Sequence, residues 1–214
     1  MFVPPPINEL DSCLNSFENF LQEPKPTLPP FIKAGLLHAQ FESIPPFLDG
    51  NGRVGRLLIA LFLVQQNVLN QPLLYLSLYL KANRADYYRL LQEVRQNGDW
   101  EAWLEFFLDG VTETANDAYK SASKIVAIFR RDRERIAALP DRAGTALRIH
   151  DVLQTQPFVT SNQLAEKTWF STPTINGALQ ALEKLGVVTE ITNKKRSRVY
   201  CYAKFMNIVD GGTR

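Results

Sequence analysis

The chain has 214 residues, 45% of them hydrophobic and 11% aromatic, which supplies a buried core and excludes a disordered polymer. Its 24 Lys and Arg stand against 22 Asp and Glu, so the formal charge of +2 excludes a protein that grips polyanions over its whole surface. At about 100–200 residues per domain, the length allows one large domain or two small ones.

In chain order, Leu10, Leu14, Phe17 and Leu21 recur at helical spacing between two proline clusters, Pro4 to Pro6 and Pro24 to Pro30. A second helix carries Leu36, Leu37, Phe41 and Ile44 on one side and stops at Pro45-Pro46. Three of the 11 glycines then fall together, at Gly50, Gly52 and Gly55. The stretch Leu57 to Leu69 that follows is apolar nearly all round, as expected of a helix at the centre of a bundle. Further helical periods cover 73–81, 84–96, 99–108 and 111–138, and almost nothing in residues 1–139 alternates with period two. This part is expected to be all-α.

Near Leu139-Pro140 the composition changes. Residues 1–139 hold 14 basic and 16 acidic side chains (net −2), and residues 140–214 hold 10 and 6 (net +4). The second part reads as helices over 143–155, 161–168 and 172–185, then strands from Val187 to Ile191 and from Val199 to Tyr202. Ser161 and Ser171 are the expected N-caps, and Gly186 the glycine that closes the third helix. Three helices and a hairpin make a winged helix-turn-helix, so the expected domains are 1–139 and 140–214. Cys13 and Cys201 are too distant in sequence to imply a disulfide framework, no apolar run approaches about 20 residues, and no charged leader precedes an apolar segment. The expected compartment is the cytoplasm, without a membrane partner.

The glycine cluster carries chemistry. In Asp49-Gly50-Asn51-Gly52-Arg53-Val54-Gly55-Arg56, Gly50 and Gly52 permit positive φ and a close backbone approach, so successive N–H groups can converge on an anion. The next helix starts inside that concavity and adds its unpaired N–H groups and the positive end of its dipole. Arg53 and Arg56 share a face of the first turn, and Asp49 supplies a hard oxygen for Mg²⁺ bridging phosphates. A P-loop is excluded because no Lys-Ser/Thr pair follows. A dinucleotide fold is excluded because prolines precede Gly50-x-Gly52-x-x-Gly55 and no acid occurs between Asp49 and Asp86.

The stretch from His38 to Arg56, HAQFESIPPFLDGNGRVGR, resembles the Fic family of AMP-transferring enzymes, whose motif is His-Pro-Phe-x-(Asp/Glu)-Gly-Asn-Gly-Arg-x-x-Arg. The resemblance continues through Phe2-Val3-Pro4-Pro5, Tyr75-Leu76-Ser77, Tyr87-Tyr88 and Gly98-Asp99-Trp100, and the appended winged helix is similar to the common bacterial arrangement. It implies an all-α Fic-type helical bundle, with ATP and Mg²⁺ as cofactors and AMP transferred to a protein hydroxyl. It further implies that Asp49 holds Mg²⁺, that Gly50, Asn51 and Gly52 form the anion hole, and that Arg53 and Arg56 reach the phosphates. Phe47 is implied to be a buried anchor.

Two departures follow. Where the family has a histidine that takes the proton from the target hydroxyl, this chain has Pro45, which holds no titratable group. A positioned base is worth about 10²–10⁴-fold in rate, so transfer is expected to be weak or absent. An engineer would more normally choose alanine, which makes Pro45 read as natural. His38 lies seven residues earlier, roughly 10 Å along a helix, and with His150 is expected to be structural. Second, the family's target-docking hairpin precedes the Phe-Val-Pro-Pro segment, where this chain has Met1, so that flap is expected to be missing. The family's inhibitory (Ser/Thr)-x-x-x-Glu-(Gly/Asn) pattern finds no match.

The rival function lies in the second domain. Thr172, Thr174, Asn176 and Gln180 are the expected groove-facing residues, with Lys194, Lys195, Arg196 and Arg198 in the wing turn touching phosphates. In that reading the chain is a DNA-binding regulator whose bundle senses nucleotide. The expected partners are thus a nucleotide, a protein target and duplex DNA, with self-association left open.

Overall fold

The computed structural model describes residues 4–23, 28–70, 75–194 and 196–211. Among the described residues there are ten helices and three short strands, packed into two compact units, residues 1–116 and 117–214. Each unit has its own apolar core.

The first unit is all-α. Helix α1 (Ile7–Leu21) follows Pro6 and buries Phe17. Helix α2 (Pro30–Ser43) starts with proline in its first turn, where a missing N–H costs nothing, and ends before Pro45. Helix α3 (Asn51–Gln65) follows the glycine turn. Helices α4 (Leu76–Ala82) and α5 (Arg84–Asn97) come next, and Gly98 closes α5 in the left-handed conformation at φ 68°. The core gathers Phe17, Leu37, Phe41, Ile59, Leu63 and Leu91 around Trp103 and Phe107. The Trp103 indole N–H donates to Gly35 O at 2.9 Å, so the largest core side chain leaves no polar atom unpaired.

Two sequence expectations are corrected here. The periods at 99–108 and 111–138 belong to one helix, α6 (Trp100–Ala137). Gly110 does not break it; the glycine is there because a Cβ would lie 2.4 Å from the Tyr79 ring, and only a bare backbone admits that ring. Helix α3 packs on α2 and buries Gly55, Ile59, Phe62 and Leu63, but Val54, Leu57 and Leu61 stay exposed. The apolar segment is therefore covered on one side rather than all round.

The packing division falls inside α6: Trp103, Phe107 and Val111 enter the first core, and Ile136 enters the second. The second unit continues with α7 (Ala143–Leu153), β1 (Phe158–Thr160), α8 (Ser161–Thr168), α9 (Thr172–Lys184), β2 (Thr189–Glu190), β3 (Val199–Cys201) and α10 (Ala203–Gly211). The sheet is antiparallel in the order β1-β3-β2, with Val159 opposite Tyr200 and Glu190 opposite Tyr200 on the other side. Strand β1 is too short for its period to show, and α10 has no fully buried residue to impose one, so neither was foreseen. The α8 cap sits one residue earlier than expected: Thr160, not Ser161, accepts from Gln163 N–H, and Gln163 returns the bond to the Thr160 N–H. Ser171 caps α9 as expected, and Gly186 follows it at φ 65°.

Candidate phosphate-binding site and wing

Gly50 stands at φ 85° as the cap of α3, a conformation that side-chain-bearing residues seldom adopt. From there Arg53 N–H and Val54 N–H both return to Gly50 O at 3.0 Å. The N–H groups of Asn51 and Gly52 precede the first such bond and are the first-turn donors that a helix leaves for an anion. Arg53 and Asp49 project into solvent, with side chains 78% and 95% exposed and 3.7 Å apart. Asp49 folds back so that Gly50 N–H donates to its Oδ1 at 2.6 Å. Arg56 lies over Gly52, its Nη1 3.2 Å from where a Cβ would be.

The loop before the nest is held differently from the expectation. Phe47 is 54% exposed and anchors nothing by burial. Its backbone is held instead by Asn51: Phe47 N–H donates to Asn51 Oδ1 at 2.9 Å, and Asn51 Nδ2 donates to Phe47 O at 2.6 Å. The Asn51 amide is spent on the loop, so its backbone N–H is what it offers an anion. Pro45 is partly buried after the end of α2 and places no titratable atom there.

Beneath α3 lies a polar cluster that sequence reasoning missed. His38 and Glu42 are four residues apart on α2 and so share a face. His38 Nε2 is 2.9 Å from the Tyr87 hydroxyl of α5, and Tyr87 in turn hydrogen bonds Glu42. Gly55 makes room for the pair: a Cβ there would lie 2.9 Å from Glu42 Oε1 and 3.3 Å from the His38 ring. Burial lowers the His38 pKa to about 4, so the ring is neutral at pH 7, the structural role expected of it. Burial also raises the Glu42 pKa, against the pull of Arg56, Tyr87 and Arg95, and raises that of Tyr87. Glu42 Oε1 is buried without a hydrogen-bond partner among the described residues. Arg95 closes the end of α2, donating to Ser43 Oγ at 3.1 Å and to Glu42 O at 2.8 Å. The legible signal was the His38–Glu42 spacing. Nothing in the sequence tied it to Tyr87 or Arg95, 49 and 52 residues from their partners.

Among the described residues no group of three or more His, Cys, Asp or Glu assembles that could hold a metal. A single exposed carboxylate beside a phosphate nest does suit Mg²⁺, which takes one or two carboxylates and draws its other ligands from phosphates and water.

Residues 1–63 match the family model for Fic/DOC, and residues 142–189 match that for a winged helix-turn-helix, DNA-binding. The first 63 residues are thus similar to the Fic/DOC family, and the C-terminal stretch to winged helix-turn-helix domains. A probable protein adenylyltransferase of Aquifex aeolicus is 37% identical over 83 residues, 39% of this chain and 26% of the relative. The protein adenylyltransferase Fic of Nematostella vectensis is 32% identical over 134 residues, 62% of this chain and 30% of the relative. The chain thus spans about a quarter to a third of the length of these relatives. The crystal structure of a Fic family protein from Desulfovibrio desulfuricans aligns with a TM-score of 0.54 at 21% identity, over 93% of this chain and 56% of that one, a likeness of fold.

In the winged helix, Lys194, Arg196 and Arg198 are exposed in the turn; Lys195 lies outside the described residues. Arg198 Nε donates to Lys194 O at 2.9 Å. Glu190 holds the base of the turn by accepting from Thr192 N–H at 2.8 Å and Asn193 N–H at 3.1 Å; hydrogen bonds from Thr192 keep its pKa below the usual range. On α9, Thr172 and Gln180 are exposed. Thr174 is paired with Ser171, and Asn176 Oδ1 accepts from Ser161 Oγ at 2.6 Å. Trp169, which the sequence did not single out, stands 91% exposed at φ 63° in the turn before α9. No helix among the described residues is long and apolar enough to cross a membrane.

Proposed function

We propose that this chain binds ATP with Mg²⁺ at the Gly50–Gly52 nest and transfers AMP weakly or not at all. The observation that carries the reading is the Gly50 turn at φ 85°, which leaves the first-turn N–H groups of α3 open beside two arginines and an exposed carboxylate. The curated relatives' names, protein adenylyltransferase, add support for the nucleotide.

In this reading the N–H groups of Asn51 and Gly52 receive phosphate oxygens, with the α3 dipole behind them. Arg53 and Arg56 supply the planar, permanently charged donors that phosphate accepts two at a time. Asp49 releases Gly50 N–H and Arg53 to hold Mg²⁺, which when bound neutralises phosphate charge. Transfer of AMP would join a protein hydroxyl oxygen to the α-phosphorus, break the bond to pyrophosphate and require a base for the hydroxyl proton. Pro45 offers none, and His38 is spent on Tyr87.

Calorimetry tests the first half: Mg²⁺-dependent ATP affinity, lost in Arg53→Ala, is expected, and its absence from the parent chain overturns the reading. A labelling assay with α-phosphate-tagged ATP tests the second. Pro45→His is expected to raise incorporation by about 10²–10⁴-fold. Robust labelling by the parent chain, abolished by Arg53→Ala, overturns it.

A second reading rests on the exposed wing cations and on the winged-helix match: the chain is a DNA-binding regulator whose bundle senses nucleotide. The cytoplasm is the proposed compartment in both readings, in keeping with free Cys13 and Cys201.

A further inference from the structure

Arg142 opens the winged helix in an unusual way. It caps α7 at φ 64°, a left-handed backbone that a non-glycine residue keeps only when its surroundings hold it there. Its side chain runs across α9 at Gly177. A Cβ on Gly177 would lie 1.7 Å from Arg142 Nη1 and 2.4 Å from Cζ, so the guanidinium fills the room of the missing side chain. It makes no ion pair or side-chain hydrogen bond among the described residues.

The face it covers is the outward one. Ile175, Ala178, Leu179 and Leu182 turn α9 toward the core. At about 100° per residue, Pro173, Gly177, Gln180 and Lys184 follow the opposite line. Arg142 and Lys184 line one cleft of about 560 Å³ with Asp141, Gly177 and Gln180. An uncommitted guanidinium thus lies on the outer line of the helix that a winged helix presents to DNA. A Cβ at 177 would lift it off the helix.

We propose that Arg142, seated on Gly177 and flanked by Lys184, is a phosphate contact of duplex DNA outside the wing. The assignment rests on the DNA-binding reading. A planar fork that pairs with two phosphate oxygens suits the wall of a major groove, and the glycine seat keeps it low enough to enter with the helix. Such a contact strengthens binding to any sequence and adds to the salt dependence.

Fluorescence anisotropy on a labelled 30-base-pair duplex of mixed sequence, titrated between 50 and 300 mM KCl, tests it. Four variants join the parent chain: Arg142→Ala, Gly177→Ala, the double variant and Lys120→Ala as a charge-loss control. Arg142→Ala is expected to weaken binding about tenfold at the lowest salt and to lower the log–log salt slope by about one. Gly177→Ala is expected to match it, and the double variant to add nothing further, because both changes remove the same contact. Lys120→Ala is expected to bind as the parent does. Thermal melts confirm that each variant is folded. If the parent binds and Arg142→Ala keeps its affinity and slope, the assignment of Arg142 is overturned while the DNA reading stands. Loss of affinity by Gly177→Ala within the Arg142→Ala background overturns the shared contact. A parent chain that binds no duplex removes the DNA reading and this assignment together.

Discussion

Each unit buries a histidine, a tyrosine and a carboxylate beside arginines, and the two sets end in opposite electrostatic states. In the second unit Asp132 is fully satisfied: Tyr202 donates to Oδ2 at 2.9 Å, while Arg135 and Arg131 donate to Oδ1 at 3.1 and 3.3 Å. Burial pushes its pKa up, but the bonds from Tyr202 and Arg135 outweigh burial and the net shift is down. In the first unit Glu42 keeps one oxygen unpaired and its pKa rises. Buried polar networks that only hold a fold are normally satisfied, and the exceptions gather where function is built. The unpaired carboxylate lies against the α3 turn proposed to hold phosphate; the satisfied one lies in the winged-helix core, where the buried atom without a partner among the described residues is His150 Nε2.

The largest expected effect tests the satisfied carboxylate. Asp132→Ala strands the buried Tyr202 hydroxyl and takes a partner from two part-exposed arginines, and should destabilise the second unit by about 3 kcal/mol, read by hydrogen exchange along α7 and β3. A loss under about 1 kcal/mol would erase the contrast between the units.

The next effect comes from pH. The folded His38 has a pKa near 4, below its ordinary 6.5, so in that window the unfolded chain binds a proton that the folded chain refuses. Stability of the first unit should therefore fall as pH drops from 6.5 to 4, by up to about 3 kcal/mol. Glu42, whose pKa is raised, opposes part of this by taking up a proton earlier in the fold than in the unfolded chain. His38→Gln should flatten the α2 hydrogen-exchange profile over that range, and an unchanged slope would place the acid sensitivity elsewhere. His150, whose burial also lowers its pKa, should give α7 a slope of the same sign.

Asn51→Ala removes both bonds to Phe47 at an exposed loop and should cost about 1 kcal/mol locally, with weaker ATP affinity in calorimetry. The smallest effect is the most discriminating. Glu42→Gln removes a charge that burial disfavours, so the first unit should change by under about 1 kcal/mol at pH 7, with a rise as the expected sign. A drop comparable to that of Asp132→Ala would show that both carboxylates are simple structural partners.

Much of this was legible in the residues. The helices around Leu10–Leu21, Arg84–Asn97 and Thr172–Lys184 follow their apolar periods, the last with its Ser171 cap, and Gly50 makes the left-handed turn that opens α3. What escaped was decided by tertiary contact. The periods at 99–108 and 111–138 read as two helices although the Tyr79 ring fills the space at Gly110 within one, and Phe47 read as buried although the Asn51 amide does the holding. Glu42 showed in the sequence only as a spacing from His38, because the groups that act on it come from α3 and α5.

Asn51 and Gly52 also form the dipeptide in which an asparagine most readily loses ammonia, when the following backbone nitrogen attacks its carboxamide carbon. Here the carboxamide is turned back and bonded at both ends to Phe47. Gly52 N meanwhile belongs to the first turn of α3. Ageing at this bond must wait for the loop to let go, and the aspartate so formed would keep the acceptor, lose the donor and bring a negative charge to the mouth of the nest. The slow release of ammonia from a stored sample is thus a clock that runs only while the loop is open.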